Sequence, residues 1–217
     1  MCIAAPYPIE GNMPNPFAQL TFTDSVKQAQ IENGTRKANE RYESVERLRE
    51  LTENEAWFIG ERDGFYFATV NENGHPYVQF RGGPKGFLKV LDEKTLAYAD
   101  FRGNLQNISI GNLRANDKAA LILMDYARQA RLKILAKIEV VNANDDPGLI
   151  AKLEMPGYKA KVERAMILHV TAYDWNCPQH ITPRYTPNEV ERAVLPLRQK
   201  IAELESEVHR LRTLAGK

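Results

Sequence analysis

The sequence predicts an α+β protein built on an antiparallel β-barrel, and three observations support this class. Seven short segments rich in β-branched and aromatic residues show the patterns expected of strands. Most are joined by short turns, such as Asn73-Gly74, and short turns connect antiparallel neighbours. The flanking segments have helical periodicity instead. The predicted strands are 65–70, 76–80, 87–91, 95–100, 119–126, 132–141 and 166–175.

The first 50 residues are predicted to form an arm followed by helices. Residues 1–20 are rich in proline and glycine, which favours an extended arm. Asp24 is a candidate N-cap for a short helix, and a charged helix is expected from about residue 35 to residue 50. Thr52 and Glu55 have the spacing of a capping box, which predicts a further helix leading into the first strand.

Residues 187–217 are predicted to form a coiled-coil-like helix that begins with a second capping box, Thr186 to Glu189. Apolar residues then recur at alternating intervals of four and three, which is the heptad pattern. Pro196 is expected to kink this helix or to mark a restart. The seam consists of Val190, Val194, Leu197, Ile201, Leu204, Val208 and Leu211.

A single helix of this kind is only marginally stable in water, so it needs a partner. We expect that partner to be a helix of a second subunit; the alternative is packing on the barrel of its own chain. The predicted organisation is therefore an N-terminal arm with helices (1–50), a barrel domain (51–186) and a C-terminal helix (187–217).

Composition argues against several classes of partner. The 29 basic and 28 acidic residues leave a net charge of +1, so there is no electrostatic basis for binding nucleic acid or an anionic membrane. No apolar run approaches the roughly 18 residues of a membrane span, and the N-terminus lacks the features of a signal peptide. Cys2 and Cys177 cannot form a disulfide framework, which favours a reducing compartment. We expect a cytoplasmic protein.

Two stretches carry groups suited to binding an anion. The first, residues 81–86, reads RGGPKG and combines Arg81 and Lys85 with three glycines that allow close backbone approach. It has neither the spacing of a Walker loop nor that of a Rossmann fingerprint, and a hairpin loop with solvated charges explains it equally well.

The second stretch, residues 101–109, leaves a strand and enters a predicted helix at about residue 106. A helix N-terminus offers free N–H groups to a phosphate, and Arg102 offers a guanidinium fork. Asn104, Gln106 and Ser109 can donate further hydrogen bonds. Simple capping accounts for one such residue more easily than for several, so we favour a phosphate site here. Arg131, at the start of a strand, is a weaker candidate.

Cys177 and His180 have C-x-x-H spacing, which could supply two metal ligands. A structural zinc site needs four ligands, and the other histidines and Cys2 are scattered along the chain, so we predict no metal site. A Cys–His nucleophile pair is conceivable, but the spacing alone does not establish it. Since no hydrolase or metalloprotease motif is present, we expect any demanding chemistry to depend on a cofactor.

Taken together, these residues resemble the pyridoxamine 5'-phosphate oxidase-related FMN-binding family. The resemblance extends over about residues 50–186 and is strongest in two motifs, FRGN-x-Q at 101–106 and DWNCPQHITPR at 174–184. It implies an FMN-binding split β-barrel that forms a homodimer, with an FMN at each of two sites in the subunit interface.

The resemblance also implies positions for the cofactor contacts. Residues Tyr77, Val78, Gln79, Phe80 and Arg81 would run along the flavin ring. The ribityl chain and phosphate would lie near Ala99, Asp100 and the turn that includes Arg102, Gly103, Asn104, Gln106 and Ser109. Arg131 would supply a polar flavin contact, and Trp175 and Asn176 would reach the flavin held mainly by the other subunit.

Two departures from the family argue against pyridoxamine phosphate as the substrate. The family's C-terminal substrate motif of Arg, Pro, Glu, Phe and Trp is replaced here by DWNCPQHITPR and the heptad helix. Its Ser-Arg-Lys phosphate triplet is replaced by a turn of Asn, Gln and Ser.

The expected function is that of an FMN-dependent oxidoreductase that accepts electrons or hydride from a small substrate or from NAD(P)H. Arg81 would stabilise negative charge on the reduced flavin, and His180 is the first candidate for a catalytic proton donor or acceptor. One alternative is a flavin carrier or sensor without turnover. Another is a haem-handling protein on the same barrel, with His169 and His180 as the candidate ligands.

Overall fold

A computed structural model describes residues 14–47 and 49–216, apart from the side chain of Asn176. Within these residues the chain forms one seven-stranded, fully antiparallel sheet and seven helices, so the predicted antiparallel α+β class is confirmed. The strands are β1 (Gly64–Val70), β2 (Pro76–Gly82), β3 (Lys89–Asp92), β4 (Thr95–Phe101), β5 (Lys118–Asp125), β6 (Ala130–Asn142) and β7 (Val162–Asn176). The helices are α1 (Pro16–Thr21), α2 (Asp24–Glu32), α3 (Arg36–Ser44), α4 (Glu53–Gly60), α5 (Ile108–Ala115), α6 (Pro147–Leu153) and α7 (Pro187–Ala215).

The strand order is β2-β1-β5-β6-β7-β4-β3, so β2 and β3 are the two edges of the sheet. The three predicted hairpins all form, and β7 joins them by pairing with both β6 and β4. Although β2 and β4 are far apart in this order, Arg81 of β2 contacts Asp100 of β4 at 2.8 Å. The sheet must therefore curl into an open barrel whose edges are not paired with each other in the described structure.

The barrel interior is filled mainly by aromatic and branched aliphatic side chains. Phe65 stacks on Phe87 with ring centroids 5.6 Å apart and meets the edge of Tyr98 at 5.3 Å. Leu123 and Leu132 are fully buried beside them on the paired strands β5 and β6. Burying such side chains is the main favourable contribution to folding. Here this packing fixes the positions of the strands relative to one another.

The N-terminal helices differ from the sequence prediction at three places. Residues 16–20, predicted to be extended, belong to α1 because Asn15 accepts hydrogen bonds from Phe17 N and Ala18 N and Pro16 is at the first helical position. The N-cap of α2 is Thr23 rather than Asp24, and α3 ends at Ser44 rather than near residue 50. Residues 1–13 of the predicted arm, and Leu48, lie outside the described residues.

A buried carboxylate anchors these helices to the sheet. Asp174 of β7 accepts hydrogen bonds from Tyr42 Oη at 2.5 Å and Arg47 at 3.1 Å, and it pairs with Lys133 of β6 at 3.1 Å. Burial and the bond to Asp174 raise the pKa of Tyr42 to about 12, so its hydroxyl stays a proton donor at neutral pH. The predicted capping box Thr52–Glu55 is present, and Glu55 also accepts from the Trp175 indole at 2.6 Å.

The chain divides into two compact units, and the smaller one consists of residues 126–129 and 179–217. In it, Gln129 Nε2 donates to the carbonyl of Ile181 at 2.6 Å, and the predicted capping box opens α7 at Thr186. Helix α7 continues through Pro196 without a restart and has no buried residue. In the part of the chain that the structure describes, no helix combines the length and the apolar character needed to cross a membrane.

Candidate functional site

Polar side chains from three strands and one loop surround a small open cavity in the larger unit. The cavity is lined by alternate residues of β2 (Tyr77, Gln79, Arg81), by Asp100 and Phe101 of β4, by residues 103–110, and by Glu163 and Arg164 of β7. Because successive side chains of a strand point to opposite faces, β2 presents only its odd-numbered residues here. Val78 and Phe80 lie on the other face and are about 60% exposed, at 61% and 60%.

Asp100 is the centre of the charged groups in the cavity. It is buried, and its two oxygens contact Arg81 at 2.8 Å and Arg164 at 3.2 Å. Burial raises the pKa of Asp100 above its usual value, while the two neighbouring guanidinium groups act in the opposite direction. Such a buried pairing contributes little net stability, but it fixes both arginines in one geometry.

Gln79 connects the charged groups to the start of α5. Its amide lies 3.1 Å from the Ser109 hydroxyl on one side and 2.9 Å from Arg81 Nε on the other. Both contacts are satisfied when the amide nitrogen donates to Ser109 and the amide oxygen accepts from Arg81. Ser109 is buried, so β2 and α5 are held together by a hydrogen-bond network rather than by apolar packing alone.

The loop between β4 and α5 adopts an unusual backbone conformation. Leu105 and Asn107 have left-handed φ angles of 63° and 52°. Asn tolerates this region, whereas a leucine there costs about 1–2 kcal/mol. The side chain of Asn107 accepts hydrogen bonds from Arg164 at 3.1 and 3.2 Å and donates to the Leu105 carbonyl at 3.0 Å. Arg164 therefore holds the loop in its strained shape.

Because the Asn107 side chain is used in this way, it does not cap α5, although Asn107 is the N-cap residue. The N–H groups of the first turn of α5 are therefore not satisfied by the cap side chain, and Ile108, Ser109 and Ile110 all line the cavity. A helix N-terminus carries partial positive charge and free donors. The start of α5 can thus donate hydrogen bonds to an anion in the cavity.

The charge balance of the cavity is close to neutral before a ligand binds. Arg81 and Arg164 are matched by Asp100 and Glu163, and the exposed Arg102 lies 3.6 Å from Glu163 at the rim. Counting Arg102, three cations face two anions. With the helix start and the amides of Asn104 and Gln106, this donor set suits a phosphate-bearing or polyhydroxylated ligand.

Many of the residues predicted to contact the flavin ring or the phosphate end of the cofactor come together in this cavity. Those that line it are Tyr77, Gln79, Arg81, Asp100, Gly103, Asn104, Gln106 and Ser109. Arg102 lies beside it through its contact with Glu163, and its own side chain is exposed. Ala99 does not line the cavity, because it points to the opposite face of β4 and is buried against α6.

The other predicted residues lie elsewhere. Arg131 pairs with Met124 and Asn176 across β5, β6 and β7, and its Nε is buried without a hydrogen-bond partner among the described residues. Trp175 packs edge-on against Phe58, with ring centroids 4.7 Å apart. The side chain of Asn176 lies outside the described residues. His180 is exposed in the smaller unit with a left-handed φ of 63°, and its catalytic role stays a prediction.

The glycine-rich stretch 81–86 has a packing role in the structure. A Cβ on Gly83 would lie 2.7 Å from the Phe87 ring, and Gly86 has a φ of +78° that L-residues rarely adopt. Lys85 pairs with Glu61 at 2.5 Å, and only Arg81 of this stretch lines the cavity. The stretch is not a hairpin loop either, because the strands that it connects, β2 and β3, are the two edges of the described sheet and do not pair with each other.

Arg164 and Asn107 are important residues of the cavity that were not predicted from the sequence. Arg164 precedes the predicted start of the last strand at residue 166, whereas β7 in fact begins at Val162. Its importance depends on the pairing of β4 with β7, which places it opposite Asp100. These strands are separated by more than 60 residues, and no local pattern predicts their register.

A family profile described as Pyridoxamine 5'-phosphate oxidase matches residues 51–161, which is about half of the chain. The chain belongs to the pyridoxamine 5'-phosphate oxidase family. This confirms the resemblance inferred from the sequence, and the matched segment runs from Leu51 through β1–β5 and β6 to the start of β7. No curated protein matches the chain in sequence.

Solved structures of similar fold include HupZ of Group A Streptococcus (18% identity, TM-score 0.45, covering 62% of this chain and 99% of that one). Another is a protein of Clostridium acetobutylicum related to general stress protein 26, of the pyridoxinephosphate oxidase family (15% identity, TM-score 0.41, 62% and 92% covered). A third is an FMN-binding protein from Syntrophomonas wolfei (12% identity, TM-score 0.43, 71% and 96% covered). At TM-scores below 0.5 these likenesses do not bear on the function of this chain.

The burial and pairing of Asp100 predict how its carboxylate titrates. In a pH titration followed by NMR of the side-chain carboxyl carbons, Asp100 should have a pKa above the ordinary value of about 3.9. Because Arg81 lowers this pKa, Arg81→Gln should raise it further. The raised folded-state value also means that ionisation of Asp100 lowers the free energy of unfolding as the pH rises from the unfolded-state pKa through the folded-state pKa.

Arg102→Gln is the matched control for this titration. Arg102 contacts Glu163 rather than Asp100, so its loss should leave the pKa of Asp100 nearly unchanged. An Asp100 pKa at or below the ordinary value, or an equal response to both substitutions, would contradict the burial and pairing described for this carboxylate.

Proposed function

We propose that this chain is an FMN-binding oxidoreductase that holds the cofactor phosphate at the cavity between β2, β4, β7 and α5. Family membership supports a flavin ligand, and the donor set supports one with a phosphate. The observation that carries the proposal is the start of α5, which is left without a side-chain cap next to Arg81 and Arg164. A helix N-terminus beside fixed guanidinium groups favours a phosphate over a neutral ligand.

The residues of the cavity fit this cofactor by their chemistry. Asn104, Gln106 and the N–H groups of residues 108–110 would donate to phosphate oxygens, and Arg102 would add charge at the rim. The terminal nitrogens of Arg164 already donate to Asp100, Asn107 and Glu163. Arg164 would therefore maintain the conformation of the loop rather than contact the phosphate. The Arg131 Nε, buried without a partner in the described structure, is a further donor that a bound flavin could satisfy.

When bound, FMN supplies the capacity to accept and release a hydride or single electrons, which the amino acids of this chain lack. The chain would bind, orient and shield the cofactor. Arg81, held by Asp100 and Gln79, brings a fixed positive charge to the end of β2. Such a charge stabilises the negative charge that accumulates on a flavin as it is reduced. NAD(P)H or a small reduced molecule would be the electron donor, and we expect the protein to act in the cytoplasm.

We also propose that the protein is a homodimer that buries the outer face of β1, β2 and β5. Phe80, Tyr66 and Ile122 are directly opposite one another across these three strands, and each is at least 39% exposed. Val78 extends the same apolar face. Contiguous exposed apolar surface of this kind is typical of an interface, and two copies of one face can pair around a twofold axis.

Binding of FMN is tested by comparing Arg164→Gln with Arg114→Gln. Arg114 lies exposed in the last turn of the same helix whose first turn lines the cavity, so the two substitutions remove the same charge at different places. Loss of Arg164 would release the loop that positions Asn104, Gln106 and the start of α5, so it should weaken FMN binding roughly 10- to 100-fold, as much as the loss of one or two charged hydrogen bonds. Titration of the apoprotein with FMN, monitored by flavin fluorescence, measures this change.

The purified protein should also contain flavin that mass spectrometry identifies as FMN after heat release, and steady turnover with NAD(P)H would support the oxidoreductase. Folding of each variant is checked by circular dichroism. Equal FMN affinities for the two variants, or a protein that neither contains nor takes up FMN, would overturn the proposed site. Bound FMN with no turnover of any donor would support the carrier or sensor alternative instead.

The dimer face is tested by hydroxyl-radical footprinting of the whole protein. Tyr66 and Tyr158 are exposed to a similar extent in the single chain, at 40% and 45%, but only Tyr66 lies on the proposed face. Tyr66 and Phe80 should be protected from modification at micromolar protein concentration, whereas Tyr158 should be modified. Equal modification of Tyr66 and Tyr158 would contradict an interface at this face.

A further inference from the structure

Helix α7 is long, amphipathic and unsupported by its own unit. It spans 29 residues, none of them buried, and residues of its apolar seam such as Leu197 (63%) and Ile201 (55%) are more than half exposed. Tertiary packing normally supplies most of the stability of a protein helix. An apolar stripe along the whole length of a 29-residue helix therefore needs a partner of matching length and pattern.

The heptad positions of the seam show which partner fits. The intervals of four and three place Val194, Ile201 and Val208 at the a positions. They place Val190, Leu197, Leu204 and Leu211 at the d positions. β-Branched residues at a combined with leucine at d favour two parallel strands over trimers or tetramers. We propose that α7 pairs with α7 of a second copy of this chain as a parallel, in-register, two-stranded coiled coil.

The flanking charges are complementary in this arrangement. In a parallel pair, a g position faces the e position five residues later on the partner helix. Lys200 would then face Glu205 of the partner subunit, and Glu207 would face Arg212 of the partner subunit. Within one chain Lys200 and Glu207 contact Glu203 and Arg210, but such exposed pairs are weak and exchange readily.

An antiparallel pair of the same helices would also bring opposite charges together, since Arg198 would then face Glu205 of the partner subunit. The charges therefore favour a second copy of this chain without deciding the orientation. The orientation follows from the core layers: a parallel pair stacks Ile201 on its own copy and Leu204 on its own copy, which is the preferred composition of each layer.

Pro196 is compatible with this coil. It occupies a c position, on the side of the helix away from the seam, and α7 runs through it without interruption. Proline removes one backbone N–H from the helix but leaves the a and d side chains on either side in place. After Pro196, the core layers with the most regular composition are the four that Leu197, Ile201, Leu204 and Val208 would form.

Disulfide cross-linking of the full chain tests the proposal and does not depend on FMN. In a background with Cys2→Ser and Cys177→Ser, Leu211→Cys places a thiol at a d position near one end of the coil. Parallel pairing brings this thiol next to its own copy, whereas antiparallel pairing brings it next to Val194 of the partner subunit. Ser206→Cys, on the outer f position of the same exposed helix, is the matched control.

Under mild oxidation at low micromolar concentration, Leu211→Cys should form a covalent dimer at least roughly tenfold faster than Ser206→Cys, because pairing raises the effective thiol concentration. Leu197→Cys, at a second d position, should behave like Leu211→Cys and guards against local fraying. Equal rates for the d and f positions would overturn the coil. Cross-linking between Leu211→Cys and Val194→Cys chains, without self-linking of either, would show an antiparallel pair and overturn the proposed orientation.

Discussion

The buried pairing of Asp100 with Arg81 and Arg164 is the interaction on which the candidate site depends. It joins an edge strand, β2, to β4 and β7 on the far side of the sheet, at 2.8 and 3.2 Å. Burying Asp100 between two partly buried arginines costs desolvation free energy, and the raised pKa of Asp100 reflects the burial of its carboxylate. What the pairing provides is geometry: both guanidinium groups are fixed before a ligand arrives, which reduces the cost of ordering them on binding.

The same pairing also fixes the conformation of the loop between β4 and α5. Arg164 donates hydrogen bonds to the Asn107 side chain, which in turn donates to the Leu105 carbonyl. The start of α5 is therefore left without a side-chain cap and faces the cavity. Strained backbone persists only where surrounding contacts determine it, and such strain is concentrated at functional sites. The polar network Gln79–Ser109 fixes the same helix start from the β2 side. The positive end of α5 and the amides of Asn104 and Gln106 thus converge on one small volume, which is the physical basis for placing a phosphate there.

Much of this architecture could be predicted from local patterns. The three hairpins, both capping boxes and the heptad helix depend on residues close together in sequence, and each is present in the structure. The contribution of Arg164 could not be predicted, because it requires the register between β4 and β7. Ala99, predicted together with Asp100 to contact the cofactor, does not line the cavity, since strand alternation turns its side chain to the opposite face, and its cofactor contact stays a prediction. The arm at 16–20 was predicted to be extended from its proline content, although the Asn15 cap and Pro16 together begin a helix.

The most direct test of this account compares the affinities of the apoprotein for FMN and for riboflavin, which lacks the phosphate. If the cavity holds the phosphate, FMN should bind more tightly by a factor of roughly 100 or more, which is about 2.7 kcal/mol. The difference should shrink as salt concentration rises, because part of it is electrostatic. Equal affinities for FMN and riboflavin would contradict the central claim, since the arginines and the open start of α5 would then have no part in binding.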